Sequence, residues 1–287
     1  MAVKQREDSG LADLKRDLKE KSPRNFYIFY GEETYLLHYY LDQLERKLLD
    51  GPAADFNVHR LTQENFSLEA LRDSLEALPM MAERSYIRVD DVDIFHMGES
   101  DRESLSDMLE DVPDYCCLVF VFETVDFKPD KKQKRFCEAL ARAKQVEFAR
   151  QTQRDLTAWV VRHFSARDKR ISSELCAYLI DITDGTMTSL LGEIEKICAY
   201  SGSDTICKAD IDAVTEPVLD AVVFQMTDML SAGRYDEALL KLRQLLKMQQ
   251  EPLAILGAVG SHFRRLGAAR TLLDNRKNSG DLQKLCR

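Results

Sequence analysis

The sequence predicts an α/β domain followed by an all-helical region, on three observations. Apolar strand-like runs alternate with helical patterns over the first 150 or so residues, the central run Cys-Cys-Leu-Val-Phe-Val-Phe at 116–122 is apolar throughout, and beyond Ala149-Arg150 only helical patterns recur. Such alternation gives a largely parallel sheet covered on both faces, and its most apolar strand belongs in the middle.

The segment 26–44 sets the organisation. Phe26-Tyr27-Ile28-Phe29-Tyr30 is too short for a helix and rich in strand formers; Gly31 breaks it, Glu32-Glu33-Thr34 follow, and Tyr35, Leu36, Tyr39, Tyr40 and Leu44 resume at helical spacing. Strand, glycine turn and helix is where nucleotide-binding α/β proteins carry a phosphate-cradling loop. Such a loop needs several glycines, a lysine and a Ser or Thr for magnesium. This turn has one glycine, no lysine and two carboxylates, Glu32 and Glu33, which suit a helix N-terminus and would repel a triphosphate. Two readings stand here: an ordinary strand-to-helix turn, or a nucleotide-binding fold that no longer holds nucleotide.

The other elements follow in order. Leu11, Leu14 and Leu18 predict a helix over 11–19 with Ser9 as cap, and the helix after Gly31 is expected to stop near Gly51-Pro52. Alternation over 56–61 predicts a strand with one wet face, on which His59 has no special role. Ser67 caps a helix over 67–78 lined by Leu68, Leu71, Leu75 and Leu78, ended at Pro79-Met80-Met81; a strand follows at 85–89. Asp90, Asp91 and Asp93 after that strand either cap turns or hold a metal. A helix at 101–109 precedes the central strand. A working NTPase would end that strand in paired acids; here Glu123 is followed by Thr124. A basic helix at 136–143 and a strand at 146–148 close the α/β region. Helices are then predicted at 152–164, 172–182, 188–200 and 208–214, and longer ones at 220–232, 236–248 and 252–273. The expected domains are 1–149, 150–216 and 217–287.

Composition narrows the function classes. The chain has 287 residues and a net charge of -9, which argues against a protein whose main task is coating nucleic acid. The stretch from Val218 onward is locally basic, with eleven Lys/Arg against seven Asp/Glu and a centre at His262, Arg264 and Arg265. A solvated face or a nucleic-acid contact would both produce it. Seven scattered cysteines, without a Cys-x-x-Cys pair, indicate reduced thiols, with Cys117 as a buried strand residue. No apolar run is long enough to span a bilayer and no signal core is present, so a cytosolic protein is expected.

Leu78-Pro79-Met80-Met81 has two readings of its own. Adjacent residues on one turn cannot both face one core, so at least one is expected to be an exposed apolar anchor; alternatively both pack under the next strand.

Together these parts resemble the delta subunits of the bacterial DNA polymerase III clamp loader, in the AAA+ superfamily. The resemblance is carried by Phe29-Tyr30-Gly31-Glu32-Glu33 with Tyr35-Leu36-Leu37, the segment from Phe56-Asn57-Val58 to Leu78, Ile171-Ser172 with Asp184-Gly185 and 190–200, and Gln250-Glu251-Pro252-Leu253. It spans essentially the whole chain through the order and spacing of its parts. It implies a degenerate AAA+ fold: a RecA-like α/β domain without a working phosphate loop, a three-helix lid, and a helical collar domain expected to be truncated, because family members run further. It implies no cofactor, no metal and no catalytic activity of its own, although the subunit belongs to a nucleotidyltransferase, the DNA-directed DNA polymerase holoenzyme. The implied task is to bind the β sliding clamp and open it for loading onto primed DNA, beside gamma/tau motor subunits and delta-prime, with primer-template DNA inside the complex and no membrane. It places the clamp-binding wedge at Met80 and Met81, beside Leu78, where the family often has a bulkier Leu-Phe type pair. Arg264 and Arg265 become candidate DNA or collar contacts. Two rivals remain: an ATP-binding protein with an unusual loop, and a DNA-binding helical scaffold working through the basic third domain.

Overall fold

Five parallel strands form one sheet in the order β2-β3-β4-β1-β5, and β4 (Cys116–Phe122) lies at its centre with every residue buried. The computed structural model describes residues 2–20, 22–49, 54–247 and 251–274. The chain divides into two units, Met1–Gln151 and Thr152–Arg287. In the first, β1 (Phe26–Tyr30) pairs with β4 and β5 (Lys144–Glu147), while β3 (Ser85–Asp90) pairs with β4 and β2 (Val58–Thr62).

Period-two alternation sorts the strand residues between two apolar layers. Tyr27 and Phe29 of β1 and Cys117, Val119 and Val121 of β4 face α1 (Ala2–Lys19) and α2 (Thr34–Leu48). Phe26, Ile28, Leu118, Phe120 and Phe122 face α3 (Leu68–Glu76), α4 (Glu99–Glu110) and α5 (Lys134–Ala141). Each such side chain contributes roughly 1.5–3 kcal/mol on burial. Arg84 secures the strand starts, donating from Nη1 to the Pro23 carbonyl at 2.5 Å and from Nη2 to the Cys116 carbonyl at 2.7 Å.

Two local expectations are corrected. Helix α1 begins at Ala2, so Ser9 lies inside it rather than capping it; the sequence before Ser9 is made of good helix formers, with no breaker. Gly10 sits where this helix meets β5, since a Cβ there would stand 2.5 Å from the Gln145 carbonyl oxygen. The expected strand over 56–61 begins only at Val58, because Ala54–Asn57 forms a 3-10 turn that leaves Phe56 exposed. Helix α2 ends at Leu48, and Gly51-Pro52 lies outside the described residues.

The second unit contains α6 (Gln153–Ser165), α7 (Ser173–Ile182), α8 (Met187–Tyr200), α9 (Lys208–Val214), α10 (Leu219–Ser231), α11 (Tyr235–Lys247) and α12 (Pro252–Asp274). Thr152, Ser172 and Thr186 cap α6, α7 and α8 by accepting the amides of Asp155, Leu175 and Ser189. Trp159, Phe164, Leu179, Leu190 and Ile194 are buried among α6–α8, and Val222, Val223, Met226, Ala238, Leu245 and Ile255 form a separate cluster among α10–α12. Helices α11 and α12 leave Leu239, Leu240, Leu253, Leu256, Phe263 and Leu266 exposed. No helix among the described residues is long and apolar enough to cross a membrane.

Six cysteines among the described residues are free thiols, and Cys286 lies outside them. Burial pushes the Cys117 thiol up to about 12 and the Cys176 thiol up to about 11, whereas Cys207 is exposed. The thiolate is the reactive form. Alkylation of the native protein at pH 8 is therefore expected to modify Cys207 and to spare Cys117 and Cys176 until unfolding, as read by peptide mass spectrometry; labelling of Cys117 in the folded state would contradict this packing.

Candidate functional site

The sheet has its switch point between β1 and β4. The chain leaves β1 through α2 on one face and leaves β4 through α5 on the other, and the crevice beyond such strand ends is where open α/β sheets bind ligands. Tyr30 and Phe122 are register partners, so Gly31 and Glu123 are the first residues past the sheet on each side.

Internal contacts occupy this place. Gly31 has φ +134°, and a Cβ there would stand 2.4 Å from the Phe148 carbonyl oxygen and 2.7 Å from its carbonyl carbon and amide nitrogen. Phe148 donates its amide to the Tyr30 carbonyl at 2.7 Å, and Glu33 donates its own to the Phe148 carbonyl at 2.9 Å. The glycine thus serves close approach of two backbones, and an amide that a phosphate loop would aim at an anion is spent on a carbonyl. Glu33 holds the N-cap position with a buried side chain that makes no cap bond, while Glu32 stands outside the helix and pairs with Arg150 at 3.0 Å. The two carboxylates therefore precede the first turn of α2 rather than lying within it.

On the β4 side, Glu123 Oε1 lies 3.0 Å from His38 Nε2 of α2. Asp91, at φ 50°, accepts the amides of Glu123, Thr124 and Val125 at 2.7, 2.9 and 3.3 Å through one carboxylate oxygen. Asp90 pairs with Arg88, and Asp93 accepts from the amides of Phe95 and His96. Asp91 and Asp93 thus cap turns, and among the described residues no group of three or more His, Cys, Asp or Glu is placed to hold a metal ion.

At the end of α3 the chain turns outward. Ser67 caps the helix by accepting the Ala70 amide at 2.9 Å, and Tyr115 donates its hydroxyl to the Leu75 carbonyl at 3.2 Å, tying the last turn to the start of β4. Ala77 adopts extended ψ and ends the helix ahead of Pro79. Leu78, Met80 and Met81 are then 73%, 59% and 92% exposed. Neither methionine packs under β3. The Met80 peptide is held on both sides by Asn57, which is 1% exposed: Met80 donates its amide to Asn57 Oδ1 at 2.6 Å, and Asn57 Nδ2 donates to the Met80 carbonyl at 3.0 Å. Met81 has φ 53°, a left-handed conformation that costs an L side chain about 1–2 kcal/mol.

Two family models match the chain: the one described as "DNA polymerase III, delta subunit" over residues 27–149, and "DNA polymerase III delta subunit, C-terminal domain" over residues 220–286. The chain belongs to the DNA polymerase III delta subunit family. It is 24% identical over 258 residues to DNA polymerase III subunit delta of Bacillus subtilis (strain 168), covering 88% of this chain and 74% of that protein. Its fold is similar to that of the DNA clamp loader delta protein of Bacillus subtilis, with a TM-score of 0.59, 21% identity, and coverage of 95% of this chain and 82% of that one. A Thermotoga maritima RuvB Holliday junction branch migration motor overlaps 79% of this chain and 76% of its own with a TM-score of 0.47 and 12% identity. The Bacillus subtilis protein of similar fold is described as a DNA clamp loader delta protein.

The basic centre expected on α12 is corrected. His262 is buried with its ring edge-on to Phe224, at 5.2 Å between centroids, so only Arg264 and Arg265 present charge there, beside exposed Phe263 and Leu266. The sequence reading missed Asn57, placing it inside a strand; its partner lies 23 residues ahead, beyond any local pattern.

Opposite effects are expected from two substitutions. Gly31→Ala must move the Phe148 backbone and is expected to destabilise the fold by about 2–4 kcal/mol. Met81→Gly relieves left-handed strain and is expected to leave the melting temperature unchanged or raised. Chemical denaturation of both variants checks the pair, and a stable Gly31→Ala protein would refute the close approach.

Proposed function

We propose that this chain binds and opens a β sliding clamp for loading onto primed DNA, with Leu78, Met80 and Met81 as the apolar contact. The observation that carries the reading is the exposure of these three side chains on a fixed turn, in a chain of the delta family. Apolar anchors at the end of a rigid element bind a hydrophobic pocket with little ordering cost, and methionine adapts to an irregular one. Opening is then differential binding: the ring opens only as far as the chain favours the open form over the closed one.

The chain is proposed to do this without binding or hydrolysing nucleotide through the Gly31 loop. Support comes from the contacts that Glu33, Glu32, Glu123 and Asp91 already make there. ATP hydrolysis falls to gamma/tau motor subunits, with delta-prime as the further partner, primer-template DNA within the assembly and the cytoplasm as its location. The proposed domains are 1–149, 150–216 and 217–287, the last joining a collar with neighbouring subunits. Exposed Phe263 and Leu266 beside Arg264 and Arg265 suit a protein-facing surface better than a purely solvated or DNA-coating one.

Surface plasmon resonance on the clamp of the same organism, without nucleotide, tests the contact. The Met80→Asp/Met81→Asp variant is expected to lose affinity by at least ~30-fold, the effect of one hot spot worth about 2 kcal/mol. Aspartate tolerates the left-handed region, so the variant should remain folded. Undiminished affinity would overturn the wedge. Calorimetric titration with ATP is expected to show no binding at micromolar concentrations; a saturable micromolar isotherm would restore the unusual-loop alternative.

A further inference from the structure

We propose that the docking surface is composite: Phe56 is a further apolar anchor, and Asn57 is the positioning residue that holds it in register with the methionine turn. This rests on the clamp-binding reading and extends it to a second chain segment.

The 3-10 turn Ala54–Asn57 ends by burying Asn57 while leaving Phe56 70% exposed. A phenylalanine so exposed on a 3-10 turn leaves most of its apolar surface in water in the free protein. Asn57 engages both polar groups of the Met80 peptide, at 2.6 and 3.0 Å, as a neighbouring strand would. One carboxamide thereby ties the residue following Phe56 to the residue preceding Met81. Phe56, Leu78, Met80 and Met81 are thus exposed on two segments that the Asn57 hydrogen bonds clip together. Separate mobile loops would have to be ordered on binding; these are ordered beforehand.

The surroundings specify the partner's chemistry. Asp55 precedes Phe56, Glu76 precedes the turn and Glu83 follows it, and all three are exposed. An apolar centre with a carboxylate rim fits an apolar pocket edged by basic groups, and such a rim makes association faster at low salt. The occupant to which we commit is the clamp pocket proposed to receive the two methionines, because Asn57 joins the segment carrying Phe56 to their turn.

The test is a double-mutant cycle on clamp affinity, measured with the full chain well below its melting temperature. Phe56→Ser is expected to weaken binding about tenfold with an unchanged melting temperature, as expected of an exposed anchor. Asn57→Ala is expected to weaken it about tenfold in the native background and less than twofold when Met80 and Met81 are both alanine, because it acts through them. Equal losses in both backgrounds, or full affinity in Phe56→Ser, would overturn the composite surface. If Asn57→Ala does not fold, Asn57→Asp keeps the acceptor for the Met80 amide and loses the donor to its carbonyl, and the same cycle applies.

Hydrogen exchange of the Met80 amide gives a readout independent of the clamp. It is expected to be protected in the native chain and to speed up at least tenfold in Asn57→Ala. Fast exchange in the native chain would overturn the role of Asn57 whatever the clamp does. Protection with intact clamp binding by Met80→Asp/Met81→Asp would instead overturn the wedge assignment and leave Asn57 as the clip of the turn.

Discussion

The backbone of Phe148 lies against the Gly31 loop, and the character of the α/β unit follows from that approach. The contact ties the residue after β5 to the end of β1 and to the Glu33 amide by two hydrogen bonds. It requires a residue without a Cβ at position 31. It also consumes a loop amide that an anion would need. With His38 against Glu123 on the other side and Asp91 capping three amides, the crevice at the strand ends is held by the protein's own groups. A single glycine in a strand-turn-helix motif can thus be structural.

At the end of α3 the free energy is arranged the other way. Three large apolar side chains and a neighbouring phenylalanine remain in water, one of them on a left-handed backbone. Strain and exposure together are costly unless a partner recovers them, and both concentrate on one turn. Asn57 bonds the same turn on both sides and Tyr115 bonds the last turn of the helix that leads into it, so the exposed groups are presented by a rigid support.

Legibility in the sequence followed the range of the interaction that fixed each element. Strand β4 was plain because burial on both faces leaves a continuous apolar run. The cap at Ser67 was legible because it bonds three residues ahead. Ser9 was misread because a capping residue inside a strong helical stretch has no local mark to exclude it. Phe56 and Asn57 were read as strand because they alternate with Val58 and His59, while a bond to Met80 decides their geometry. His262 was read as part of a basic surface because nothing local tells that its face of α12 meets Phe224. The missing lysine and acid pair were visible at once; what replaced their function, an approach between residues over a hundred positions apart, was not.

We propose the apolar turn, and not the strand-end crevice, as the functional end of the α/β unit. A hydrogen-exchange footprint of the chain with and without the sliding clamp separates the two. Slowed exchange is expected at 54–59 and 77–83, with the loops at 31–34 and 123–125 unchanged. Protection confined to those two loops, or to α11 and α12, would contradict it.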